Sequence, residues 1–344
     1  MAATRTAFEN EADIKAYVTG LADAGKLSGA VLVSRGEHVF RQAFGLADRT
    51  TGAPNTTSTI FRIGSNTKQF TAEAILILAN RHRLQLSDSI CDHLRDCPPA
   101  WQRVTLRQLL DHTSGMPDYV NGELNTYWTH PQTPDQLLGH FRDQPLDFPP
   151  GTRFKYSSSG YVLLGMVIEK VAGEPYAQFL RHSVLGPLHL DRTGVDSVSP
   201  PVPEHALGYY ADGTQPERYD PSVAYAAGAL YSTVDDLDTW DRAIASRRLG
   251  GGRLEEEMVT VQAPCPPAGS RRGCDLPTDV GYGYGWEIAD EPTGRLVYHL
   301  GRIDGFVSMN GFYPQSGTDV VVLSNSEATD FVAVGRVLGA MANR

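Results

Sequence analysis

The spacing of apolar residues along the chain changes twice. Near the start, Phe8, Ile14, Val18 and Leu21 recur at intervals that put them near one face of a helix. The stretch GAVLVSRGEHVFRQAFGLAD carries two β-branched and aromatic runs around Arg35, Gly36 and Glu37, which predicts a hairpin. From Ser65 to about Ala245 the apolar period is mainly helical, with breaks at loops such as FPPGTR, SVSPPVPEH and, just beyond, RLGGGR. After Gly281 the strand pattern returns. GYGYGWEIA, GRLVYHLG, FVSMNGFYP and TDVVVLSN read as four short strands, and FVAVGRVLGAMANR as a closing helix.

These elements predict an α/β (α+β) fold. The N-terminal hairpin and the C-terminal strands form one antiparallel sheet, flanked by N- and C-terminal helices, from residues 1–62 and 280–344; residues 63–279 form a large, mainly helical inserted region. A site would lie in the cleft between the two. A length of 344 residues suits two structural units, or one large core with an insertion. The longest apolar runs, AILILA and YVLLGMVI, fall well short of the roughly 18–20 residues that cross a bilayer, so they read as buried core segments with no transmembrane span.

Composition is that of an ordinary globular protein, 41% hydrophobic and 20% charged, and the formal net charge of −10 argues against a nucleic-acid partner. The start, MAATRTAFENEAD, has no apolar run of signal-peptide length, so it reads as a cytosolic start or as a mature chain with an added Met. Four cysteines fall in two local pairs, Cys91 with Cys97 and Cys265 with Cys274. Two short disulfides would suit a periplasmic or secreted protein, and the cysteines lean that way; free structural thiols are the alternative. A metal reading of CDHLRDC, with Cys91, His93 and Cys97 as ligands, lacks a fourth partner at a known spacing.

The chemistry centres on IFRIGSNTKQF, where Ser65 and Lys68 stand three residues apart at the head of an apolar run. With 21 serines and five lysines, such a pair arises by chance roughly 0.3 times in the chain, so the spacing alone is weak. A lysine in the first turn of a buried helix is poorly solvated, which lowers its pKa from about 10.4 and fits it to accept a proton from a serine on the same face. The competing reading is a serine helix cap and a snorkelling lysine. Elsewhere His112 and Ser114, two residues apart on a Gly-Met-Pro turn, read as turn or core residues. Ser157 to Ser159 read as a helix cap, and Tyr156 before them as an ordinary amphipathic aromatic. RLGGGRLEEEM reads as a turn and an acid-rich helix start. The histidines show no metal spacing and no glycine loop of nucleotide-binding type opens a helix, so no metal or cofactor is expected.

Taken in order, SNTK at 65–68, YSS at 156–158 and HLG at 299–301 resemble the three active-site motifs of the penicillin-recognising serine hydrolases, which run S-x-x-K, Y-x-N and K-T-G or H-x-G. The family includes class C β-lactamases, DD-carboxypeptidases, D-aminopeptidases and esterases of that fold. LLDHTSG, FPPGTRFKYSSSGYVLLGMVIEKVAG, AAGALYSTVDDLDTWDRAI and YGYGWEI extend the likeness across about residues 28–340. The resemblance implies that Ser65 is the nucleophile, that Lys68 and Tyr156 share the base work, and that the backbone N–H groups of Ser65 and Arg302 hold the oxyanion. It places His299, from the same strand as Gly301, as a hydrogen-bond partner for Tyr156 and a titratable charge that keeps the phenol acidic.

Two positions depart from the pattern. Ser158 replaces the usual Asn and offers a shorter side chain with one donor. Leu300 replaces the usual Thr, whose hydroxyl helps hold the carboxylate of a β-lactam or of a D-Ala-D-Ala terminus; Arg302 would compensate as a carboxylate clamp. The expected activity is therefore an acyl-enzyme hydrolysis of a small ester, amide or D-amino-acid peptide bond, esterase- or amidase-like with weak β-lactam activity. A D-Ala-D-Ala carboxypeptidase or a β-lactamase proper is the alternative within the family. A non-catalytic penicillin-binding sensor is the alternative of another class, and it requires a missing group where Ser65, Lys68 and Tyr156 are all present.

Overall fold

The computed structural model describes residues 10–121, 127–197, 204–217, 219–249, 252–266 and 274–344. Phe8, parts of the SVSPPVPEH and RLGGGR loops, and the interior of the CPPAGSRRGC segment lie outside them.

The hairpin forms where the sequence places it, with strands Gly29–Arg35 and His38–Phe44 joined through Gly36, which takes the positive φ of 60° that the tight turn needs. Its first strand pairs antiparallel with Thr318–Ser324, from the far end of the chain. Edge to edge, the main sheet runs His38–Phe44, Gly29–Arg35, Thr318–Ser324, Phe306–Tyr313, Gly294–Ile303, Glu287–Glu291, Asp279–Tyr282, Ala263–Pro264. Two details differ from the sequence reading. GYGYGWEIA is split: Tyr282 ends one strand and Glu287 begins the next, because Gly285 turns the chain with a φ of 77°. The short strand Ala263–Pro264 also joins the sheet edge, although nothing in its composition marks it as a strand.

Side-chain alternation divides the sheet into two faces. Val31 and Val33 face an outer layer built from helices Glu11–Asp23 and Phe331–Ala342, where Ile14, Val18, Phe331 and Leu338 are buried. Ala30 and Leu32 face the larger core with the helical middle of the chain. Helix Thr67–Asn80 lies at the heart of that core: every residue from Thr67 to Leu78 is buried, so it is an interior helix, as its run of apolar residues on most sides indicates. It packs on helices Ser158–Ala172 and Tyr225–Gly228. Among the described residues no helix is long and apolar enough to cross a membrane.

Cys91 is bonded to Cys97 and Cys265 to Cys274, which replaces the free-thiol and metal alternatives. Thiol counting on unfolded protein should give none before and four after reduction. Because each bridge closes a short loop, reduction is expected to cost about 2–3 kcal/mol per bridge, read as a fall in Tm. An unchanged Tm on full reduction would show that neither loop constrains the unfolded chain.

Candidate active site

The segment around Ser65 enters the Thr67–Asn80 helix through a tight 3-10 turn, Gly64–Asn66. Two glycines let this turn meet the strand Gly294–Ile303. Gly64 has a φ of 50°, and a Cβ there would lie 2.9 Å from the backbone N of Arg302. At Gly301 a Cβ would lie 2.0 Å from the carbonyl oxygen of Ile63, so that position admits no side chain. The backbone of Ser65 is thereby held close to that of Arg302, at the head of a 14-residue helix whose dipole favours negative charge.

Ser65 does not cap the helix. The N-cap position is Asn66, with no side-chain cap bond. Instead Lys68 Nζ donates to Ser65 Oγ at 3.2 Å and to the carbonyl oxygen of Ala227 at 2.8 Å. Lys68 is fully buried, with Nζ 4.8 Å from the centre of the Tyr156 ring and 5.5 Å from that of Tyr161. The i, i+3 relation on one helix face produces the Ser65 contact, and the short helix ending at Gly228 supplies the second acceptor.

Tyr156 and Ser158 arrive from the loop that leads into helix Ser158–Ala172. The Ser158 backbone N–H donates to Asp118 Oδ1 at 3.1 Å, which fixes the start of that helix. Ser65, Tyr156, Ser158, His299, Leu300 and Arg302 all line one hollow of about 290 Å³, with Trp128, Asp275 and Glu287 further round its wall. A larger hollow of about 430 Å³ lies around Arg62, Asp196 and Asp304, but neither Ser65 nor Lys68 reaches it.

His299 departs from expectation. Its Nδ1 lies 2.7 Å from the carbonyl oxygen of Leu300, which can only accept, so Nδ1 carries the proton and Nε2 accepts from the Tyr282 hydroxyl at 2.9 Å. Burial, with the Lys68 charge as a second cause, pushes its pKa down to about 3. The ring is neutral at pH 7 and supplies no titratable charge to Tyr156, whose ring centre is 6.2 Å away. Tyr282 was legible only as a strand residue; nothing in GYGYGW marks it as the partner of a histidine on another strand.

Leu300 is 8% exposed and packs into the outer apolar layer with Met309 and Phe331. The Arg302 guanidinium sits 4.7 Å over the Phe331 ring, so a carboxylate clamp at this position requires it to leave that ring. Ser114, read from the sequence as a turn or core residue, is buried and accepts the backbone N–H of Met116, a turn role. His112 is also buried but lies against Tyr156, 4.3 Å between ring centres, a proximity that its place in the sequence did not reveal.

Residues 14–340 match the family model described as Beta-lactamase, and the chain belongs to that family. Penicillin-binding protein 4* of Bacillus subtilis is 29% identical over 327 residues, covering 89% of this chain and 70% of that protein. The crystal structure of a penicillin-binding protein from Bacillus halodurans superposes with a TM-score of 0.82 at 28% identity, covering 94% of this chain and 99% of that one. A D-amino acid amidase from Ochrobactrum anthropi, crystallised with L-phenylalanine, superposes with a TM-score of 0.81 at 25% identity, covering 96% of each chain.

Proposed function

We propose that the protein is a serine hydrolase that works through an acyl-enzyme on a small ester, amide or D-amino-acid peptide bond, with only weak activity on β-lactams. The observation that carries this reading is the buried Lys68 amine 3.2 Å from Ser65 Oγ, at the edge of a hollow that Tyr156 also lines. The amidase from Ochrobactrum anthropi supports the amide branch, and the weak β-lactam activity follows from Leu300, which cannot donate to a carboxylate, and from the stacked Arg302.

In the first step Ser65 Oγ attacks the substrate carbonyl carbon while its proton passes to the basic pair of Lys68 and Tyr156. The oxyanion lies between the N–H groups of Ser65 and Arg302; loss of one such donor typically costs about 10²–10³ in rate. Tyr156 then hands a proton to the departing oxygen or nitrogen as the carbonyl re-forms. Water enters, gives a proton back to the same pair, attacks the ester carbon and releases Ser65 with its proton restored. His299, being neutral, holds Tyr282 and takes no proton in this scheme.

A fluorescent phosphonate should label Ser65, located by mass spectrometry, and fail to label Ser65→Ala. In a parallel rate panel, short p-nitrophenyl esters and D-amino acid amides should exceed nitrocefin and other cephalosporins in kcat/KM. No label at all would favour the sensor reading, and label on Ser114 a different site. Equal or better kcat/KM on a β-lactam would make the protein a β-lactamase.

A further inference from the structure

We infer that His112 is the positioning residue for Tyr156: it grips the residues on both sides of the tyrosine and backs its ring. This rests on Tyr156 acting in proton transfer as proposed above. The His112 carbonyl oxygen accepts the N–H of Lys155 at 2.9 Å, and its ring Nδ1 accepts the N–H of Ser157 at 3.2 Å. Between those two bonds the ring lies 4.3 Å from that of Tyr156, the nearest of its aromatic neighbours; Tyr282 follows at 4.7 Å, Tyr161 at 5.2 Å and Phe154 at 5.9 Å.

The arrangement fixes more than a packing contact. Because Nδ1 accepts from a backbone N–H, the proton of the neutral ring resides on Nε2, and Nε2 is buried with no hydrogen-bond partner among the described residues. A phenyl ring would fill the same aromatic box and strand no donor, but it would leave the Ser157 N–H unpaired. His112 also takes a φ of 60°, a conformation that a non-glycine residue adopts at a cost, and this turns its carbonyl and its ring toward the same loop. Burial and the nearby Lys68 charge keep the ring neutral, so it constrains Tyr156 without competing for the proton.

His112→Phe keeps a ring and removes the Ser157 acceptor; His112→Asn keeps an acceptor on a residue that tolerates positive φ. Turnover is measured per active site titrated with the phosphonate, so unfolded protein does not count. His112→Phe should lower kcat at least tenfold with KM changed less than threefold, and His112→Asn should recover part of the loss. His112→Phe within twofold of wild type would overturn the inference. Tyr156→Phe serves as the control: if it too retains activity, the fault lies in the assigned role of Tyr156. Nitrogen NMR of the wild-type histidines needs no variant. It should show the His112 ring as the neutral Nε2–H tautomer from pH 5 to 9, and an Nδ1–H tautomer or titration inside that range would also overturn the inference.

Discussion

An enzyme carrying Lys68→Met is expected to turn over its best ester substrate about 10²–10⁴-fold more slowly, the range typical of a lost general base, with KM changed far less. Methionine matches the lysine stem in length and suits a fully buried site, so the helix core should survive. What disappears is the amine that donates to Ser65 Oγ and to the Ala227 carbonyl. Lys68→Arg separates charge from proton transfer, because a guanidinium keeps the cation and does not give up its proton near neutral pH. It should be as slow as the methionine variant. Steady-state rates on p-nitrophenyl acetate for both variants, with circular dichroism to verify folding, decide the matter. If Lys68→Arg alone retains activity within tenfold, Lys68 is a structural cation and the proton goes elsewhere; if Lys68→Met does so too, neither the charge nor the proton transfer is needed at this position.

The second large effect concerns stability against pH. Where helix Val234–Ala245 meets strand Thr318–Ser324, Asp241 and Asp319 are buried, with Asp238 beside them. Asp241 accepts from Asn310 Nδ2 at 2.6 Å, whereas no donor among the described residues reaches either oxygen of Asp319, whose carboxyl is the donor toward Asp241 and Asp238. Burial first, and mutual repulsion second, raise the pKa of Asp319 well above its ordinary 3.8; burial raises that of Asp241 likewise. Across the helical core Glu73 is raised in the same way, by burial and by Glu255.

At these carboxyls the folded protein binds more protons than the unfolded chain from about pH 4 upward, whereas below about pH 6.5 the buried, neutral His112 and His299 act the other way. Each extra bound proton tilts stability downward by about 1.4 kcal/mol per pH unit as pH rises through that window, until the folded groups ionise. Above about pH 7, where the histidines are neutral in both states, stability should fall toward pH 9. Asp319→Asn supplies an amide donor to Asp241 and removes one titration, so it should raise Tm at pH 8 and flatten the decline. Denaturant melts of both proteins from pH 4.5 to 9 measure this. A wild-type stability that holds level or climbs from pH 7 to pH 9 would show the carboxyls to be hydrated and ionised.

Much of this architecture is legible in the chain because its signals are local. The hairpin is given by its turn residues, the interior helix after Ser65 by a run that is apolar on most sides, and the sheet faces by alternation. The candidate site is half legible. Ser65 and Lys68 are one helical turn apart and declare themselves, and Tyr156 enters by motif order. His112 does not, because its importance lies in a left-handed backbone conformation and in a loop more than forty residues away. His299 was assigned a charge that burial removes. That error follows from reading a residue type without its solvent, since whether an imidazole in a strand is protonated depends on what covers it.

The pairing of Gly29–Arg35 with Thr318–Ser324 has a consequence for how the protein comes into being. The first strand of the hairpin waits for a neighbour synthesised nearly 300 residues later, and the strand that faces Ser65 across Gly64 and Gly301 follows the serine by more than 200 residues. A growing chain can assemble its helical middle on the ribosome while Ser65 still lacks its opposite wall. The hollow beside Ser65 is thus walled only when segments far apart in the sequence meet, and a nascent chain cut short of residue 294 carries the serine without that wall.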